Sequence, residues 1–221
     1  MILRFFAQLV SIIFHPLIML TYMLILLLLV NPYLFGVAKI GDASKLIIGV
    51  FVSTFFLPAF AILLMRGLGF IKSFEMRDKQ ERIGPFIATA IFYLWIFQNV
   101  VKSSSFPTAF SVCVLGATIA LFVDFLINLF YKVSLHATGV GGLVGMVIVT
   151  MWMFSYGTFN WATPSGDIFQ ISMNLLLATA LFIAGLVGTC RLILAAHEPK
   201  ELLIGYLVGF FCQLIALKIL L

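Results

Sequence analysis

The stretch CRLILAAHEPKE, Cys190–Glu201, separates two apolar runs, Ile168–Cys190 and Leu202–Leu221. It opens on Arg191, continues through apolar residues to His197, and closes on Glu198, Pro199, Lys200 and Glu201. Pro199 disfavours helical geometry at Glu198 and suits the first position of a new helix. The stretch is therefore predicted to be a break between two helices rather than the middle of one. Glu201 then falls in the first turn of the second helix, near its positive end, where it reaches back to His197. HEPKE begins like the zinc motif H-E-x-x-H, but Glu201 stands where that motif has its second histidine, so the helical metal pair is absent.

The apolar runs on either side belong to a wider pattern. Of the 221 residues, 63% are hydrophobic and 10% charged, against about 25% charged in a soluble domain. A chain of this size cannot hide so much apolar surface in one water-facing core. Segments of roughly 17–25 apolar residues are long enough to span a bilayer. They are predicted over Phe5–Val30, Leu46–Leu68, Pro85–Val101, Pro107–Phe130, Gly139–Tyr156, Ile168–Cys190 and Leu202–Leu221. The fold class is all-α, a multi-pass transmembrane helical bundle of six or seven spans. The whole chain, residues 1–221, forms a single integral membrane domain. Its partner is the lipid bilayer, and the cytoplasmic (inner) membrane is its expected location.

Other classes fit poorly. The net charge of +5 comes from basic residues scattered between apolar runs, a poor nucleic-acid surface and a better match to anionic headgroups. Cys113, Cys190 and Cys212 lie in or at the ends of apolar runs and read as small packing residues rather than a disulfide framework. The first span reads as an anchor, too long for a signal peptide. Pro16 and Pro58 lie inside spans and should kink them. His15, beside Pro16, reads as a hydrogen-bonded packing residue. Residues 157–167, with their Pro-Ser-Gly, read as a surface loop.

Seven spans place the connections 69–84, 131–138 and 191–201 on one face of the membrane, the face of the N-terminus. That face carries nine of the Lys/Arg residues and the opposite face four. The positive-inside rule would make the richer face cytoplasmic. If Lys79, Arg82, Lys132 and Arg191 serve a site instead, five remain against four and the rule does not choose.

The first of these connections, KSFEMRDKQERIGP (Lys72–Pro85), interleaves cations with carboxylates. The second, YKVSLHATG (Tyr131–Gly139), offers Lys132, Ser134 and His136 at alternate positions. Taken singly, each reads equally as a solvated interfacial segment with local ion pairs or a snorkelling lysine. Gly141 and Gly145 have the small-xxx-small spacing of closely packed membrane helices; no strand precedes them, as a dinucleotide loop would require. Together the connections supply several cations, two histidines, a hydroxyl and an acid beside a histidine. That set suits attack on a phosphate ester. Arginine and lysine neutralise the phosphoryl oxygens, one histidine attacks phosphorus with its acid partner fixing the tautomer, and the other protonates the leaving oxygen. Asp124, deep in the fourth span, is costly there and shares a helical face with Asn128 and Lys132 that leads toward the site; a hydrogen-bonded helix contact and support of Lys132 both fit it.

The chain resembles the phosphatidic acid phosphatase type 2 and haloperoxidase superfamily, whose signature is K-x6-R-P, then P-S-G-H, then S-R-x5-H-x3-D. Arg191, His197 and Glu201 reproduce the third part, with Cys190 for Ser and Glu201 for Asp. VSLH keeps Ser134 and His136, with Val133 and Leu135 for Pro and Gly. In DKQERIGP, Arg82 is kept, Pro85 is displaced, and Lys79 is the substitute lysine with Arg77 and Lys72 as rivals. The resemblance implies a metal-free and cofactor-free membrane hydrolase acting on a lipid phosphate or diphosphate of the phosphatidate, phosphatidylglycerophosphate or isoprenyl diphosphate class. By it His197 forms a phosphohistidine, Glu201 orients His197, and His136 is the general acid that later activates water. Arg82, Arg191 and Lys79 grip the phosphate, and Ser134 adds a hydrogen bond. The competing readings are a phosphotransferase of the same family and a non-catalytic headgroup-binding or transport protein. A prenyl transferase is disfavoured, because magnesium diphosphate chemistry calls for acidic clusters.

Overall fold

The computed structural model describes residues 2–74, 76, 78–162 and 167–221. Helices run over α1 Ile2–Ile13, α2 Met19–Val30, α3 Ser44–Phe51, α4 Leu57–Gly67, α5 Ile83–Lys102, α6 Thr108–Phe130, α7 Leu135–Met153, α8 Met173–Ile193 and α9 Pro199–Leu220. With their short flanking turns they give seven segments long and apolar enough to cross a membrane: Ile2–Val30, Pro32–Gly67, Gln80–Lys102, Thr108–Phe130, Leu135–Met153, Met173–Ile193 and Pro199–Leu220. Helices satisfy their own backbone groups, as a hydrocarbon solvent demands. Large outward side chains such as Phe5, Leu63 and Phe182 suit acyl chains rather than water.

Both intramembrane prolines distort their spans. Pro16 splits the first into α1, a short 3-10 turn and α2. In the second, Pro58 follows a π-helical turn, Val52–Phe56, which meets the Pro16 turn. Both distortions therefore lie at one level of the bundle.

Several boundaries differ from the sequence expectation, the third span for instance starting at Gln80 rather than Pro85. The fifth span begins at Leu135, so His136 sits in the first turn of α7 and not in a connection; Ser134 caps it, its hydroxyl accepting from Ala137 N at 3.4 Å. The sixth begins at Met173, because Ile168–Ser172 (β2) pairs antiparallel with Thr158–Ala162 (β1), Thr158 opposite Ser172. The surface loop is thus partly a hairpin; its Pro164–Gly166 lies outside the described residues. The second span reaches back to Pro32 through short 3-10 turns.

The centre of the bundle is α7, with 67% of its apolar window buried, the highest share of any span. It packs most closely on α9, and glycines permit the approach. A Cβ on Gly141 would stand 2.5 Å from Tyr206 O, one on Gly145 3.0 Å from Phe210 O, one on Gly205 2.7 Å from Ser134 O, and one on Gly209 would run into the Thr138 carbonyl. Each helix therefore presents glycines four residues apart to the other, the spacing expected for Gly141 and Gly145. This contact fixes the start of α7, with His136, against the start of α9, with Glu201. Cys113, Cys190 and Cys212 are free and buried.

Candidate functional site

The break at Cys190–Glu201 forms as its sequence suggests. Ala195 takes a left-handed conformation at φ 51° and ends α8, with Ala196 N donating to Arg191 O at 3.1 Å. Pro199 is the first residue of α9 and Glu198 its N-cap, in a reciprocal capping box with Glu201. One Glu201 oxygen accepts from Glu198 N at 3.3 Å and from His197 Nδ1 at 2.6 Å. The His197 side chain is 3% exposed and Glu201 20% exposed, so the pair is buried on the histidine side.

Cation-to-carbonyl bonds lace the three connections together. Lys132 Nζ donates to Ala196 O at 2.8 Å, and Arg82 donates to Val133 O at 3.1 Å and, through Nε, to Met76 O at 2.9 Å. Ser134 N donates to Glu201 O at 3.4 Å. The end of α6 ties in the first connection: Asn128 Nδ2 donates to Lys79 O at 3.1 Å, and Lys79 Nζ donates to Phe130 O at 2.8 Å. α6 ends at Phe130 and the chain turns extended at Tyr131, so Lys132 lies beyond the helical face that Asp124 and Asn128 share; Asn128 fastens the first connection and Lys132 the third. Asp124 is fully buried, with the Thr138 side chain beside its carboxyl. The neighbouring Thr138 directs its hydroxyl to Ser134 O at 3.3 Å.

Not every expected residue faces the cluster. Lys79 is exposed and closes the end of α6, Lys72 is exposed, and Arg77 lies outside the described residues. Ser134 is fully buried with its oxygen engaged as the α7 cap. Arg191 in the last turn of α8, with Arg82 and Lys132, surrounds His197 with positive charge.

Burial first, and then the charges of Arg191, Lys132 and Arg82, push His197 down from 6.5 to about 3. The ring is therefore neutral at neutral pH. Glu201 accepts its Nδ1 hydrogen, which leaves the Nε2 lone pair available as nucleophile or base. His136 is held through the other nitrogen, since its Nε2 lies 3.0 Å from Ser11 O. A carbonyl only accepts, so Nε2 carries the hydrogen and Nδ1 is the nitrogen left to exchange a proton. Ser11 and His15 were not expected here. The His15 ring centroid lies 5.6 Å from that of His136, and Ser11 Oγ accepts from Arg191 at 3.4 Å. The one signal in the sequence was a histidine beside a mid-span proline.

Comparison with protein-family models, curated proteins and solved structures returns no match. The chemistry of the site therefore rests on its own geometry: a neutral imidazole backed by a carboxylate, a second imidazole tethered by one nitrogen, and three cations around them.

The lowered pKa of His197 has a consequence for stability. Between about pH 6.5 and 3 the unfolded chain binds a proton at this residue that the folded chain does not. The contribution of the neutral ring is fully present above pH 6.5 and lost as pH falls toward 3. The melting temperature should therefore fall on acidification from pH 7 to 4, and fall less in His197→Asn. Equal slopes would mean that His197 takes up its proton as readily in the folded as in the unfolded chain.

Proposed function

We propose that this protein is a metal-independent membrane phosphatase acting on a lipid phosphate or diphosphate through a phosphohistidine. The observation that carries the reading is the buried His197–Glu201 pair at 2.6 Å among Arg191, Arg82 and Lys132. His197 Nε2 attacks phosphorus, and the bond from phosphorus to the leaving oxygen breaks. His136, with its own hydrogen on Nε2, takes a proton at Nδ1 from the bound phosphate monoanion and passes it to that oxygen, while Glu201 stabilises the imidazolium formed at His197. In the second step water loses a proton to His136 Nδ1 and attacks phosphorus, the phosphorus–nitrogen bond breaks, and inorganic phosphate leaves carrying that proton. The cations stabilise the charge on the phosphoryl oxygens throughout.

A lipid substrate is supported by an apolar groove of about 290 Å³ lined by Gly141, Val144, Leu181, Gly185, Tyr206 and Phe210. Tyr206 is five residues along α9 from Glu201, about 7.5 Å at the helical rise. A chain lying there would hang from a headgroup at His197. Nothing lies within 4 Å of a Cβ at Gly185, so a side chain can start there without strain, and Gly185→Leu places apolar volume at the groove. It is expected to lower turnover of long-chain lipid phosphates by about tenfold, within the range for a remodelled apolar pocket, and to spare a short-chain soluble phosphate. Equal loss on both would take the groove out of substrate binding.

The test of the activity is release of phosphate by the purified protein, with chelator present, from phosphatidate, phosphatidylglycerophosphate and isoprenyl diphosphate. An acid-labile phosphorylated intermediate should be trapped and should be absent in His197→Ala. A second reading, headgroup binding without turnover, draws on Arg82 and Lys132 already donating to backbone carbonyls. It predicts lipid-phosphate binding with no phosphate release from any of the three. The proposed location is the cytoplasmic (inner) membrane.

A further inference from the structure

The first span ends α1 at Ile13 and restarts helically only at Pro16. In an unbroken helix the Ser11 carbonyl would accept from the His15 N–H and the Ile12 carbonyl from residue 16, where proline has no hydrogen to give. No backbone bond joins His15 to Ser11 among the described residues. Two of the carbonyls released by the break, those of Ser11 and Ile13, are taken by side chains. Ser11 O meets His136 Nε2 at 3.0 Å, and Ile13 O accepts from the Tyr22 hydroxyl at 2.9 Å. The Ser11 hydroxyl donates to Ala7 O at 2.9 Å, so its contact with Arg191 at 3.4 Å is as acceptor.

His15 completes the arrangement. Its Nδ1 accepts from Leu17 N at 3.3 Å and caps the Pro16 turn, so its hydrogen is on Nε2. Its ring stands at 79° to that of His136, and Phe55 of the π-helical turn meets it edge-on at 6.2 Å. With its lone pair engaged by Leu17, His15 is a poor proton acceptor, and its effect is to hold the His136 ring. The other charged or titratable groups facing His136 are Arg191 from α8 and His197 from the connection before α9.

We propose that the proline break in the first span is part of the site, with Ser11 and His15 as positioning residues that hold His136 and Arg191. The inference rests on the phosphatase reading for its kinetic effect but not for its geometry, and its test separates the two.

His15→Asn keeps an N-cap acceptor and removes the ring. Pro16→Ala returns an N–H and lets α1 run on past Ile13, so that the Ser11 carbonyl can accept from His15 N instead of His136. Ser11→Ala removes only the hydroxyl. The full-length protein in detergent would be assayed on phosphatidate and examined by 15N NMR of labelled histidine, which separates protonated from bare ring nitrogens. His15→Asn and Pro16→Ala should lower kcat between about 10- and 100-fold, the scale of a misplaced catalytic group, with KM within threefold. In both, the His136 signal should change from one tautomer, hydrogen on Nε2, to a mixture. Ser11→Ala should raise KM about threefold or more through Arg191 and leave kcat within threefold. Folded His15→Asn and Pro16→Ala proteins with wild-type kcat and the wild-type His136 spectrum would overturn the proposal. If the wild-type protein turns over no lipid phosphate, the phosphatase reading fails and the NMR alone decides: an unchanged His136 tautomer in both variants overturns the positioning role, and a mixture supports it.

Discussion

Replacing His197 by alanine is expected to lower turnover of a lipid phosphate by at least about 10⁴-fold, as loss of a covalent nucleophile does in other enzymes. Glu201→Gln is the sharper companion. Glutamine still serves a capping box and still accepts the Nδ1 hydrogen, so α9 should begin as before. Only the negative charge is lost, and with it the stabilisation of the imidazolium formed on attack. A loss of about 10²- to 10⁴-fold in kcat is expected, on the scale of a missing orienting acid, with the melting temperature close to that of the parent. The order of effects carries the argument: His197→Ala near background, Glu201→Gln intermediate and still able to form the trapped intermediate slowly. Phosphate release unchanged in a folded His197→Ala protein would sink the mechanism. An unchanged rate in Glu201→Gln would show that the 2.6 Å contact serves the cap alone.

The His197–Glu201 pair was legible in the sequence because its determinants are local. A proline at the first position of a helix fixes where α9 starts, and a four-residue step then puts the acid under the histidine. The co-facial placement of the connections was legible for a similarly simple reason, since it needs only a count of spans. The roles of individual cations were not. Lys132 reaches Ala196, 64 residues away, and Lys79 reaches Phe130, 51 away. Such pairings depend on helix packing, which spacing along one chain does not encode. Ser11 is the extreme case. Its part in the site is a backbone carbonyl released by a proline five residues later, and no side-chain pattern marks it. The hairpin was missed for a different reason. IFQIS continues directly into the apolar run of α8, so hydropathy merged strand with span, although the sequence Pro-Ser-Gly between TFNWA and IFQIS is of a kind that signals a hairpin.

The geometry of the site also depends on a contact remote from the chemistry, and Gly209→Ala tests it. A Cβ there would run into the Thr138 carbonyl and stand 2.6 Å from Gly142 N, both backbone atoms of α7. A backbone cannot rotate out of the way as a side chain can, so α7 and α9 must part by roughly 1 Å, at an overpacking cost of about 1–3 kcal/mol. For a chain of this length that is a fall in melting temperature of about 2–12 °C. Separation of the helices also draws Glu201, at the start of α9, away from Ser134 and His136, at the start of α7. A displacement on that scale can cost about 10²-fold in rate. Gly49→Ala is the control, because nothing lies within 4 Å of a Cβ at Gly49 and alanine is the better helix former. Its melting temperature should be equal to or above that of the parent. If Gly209→Ala melts with the parent and keeps its activity, the close approach of α7 and α9 is not what sets the distance between the two histidines.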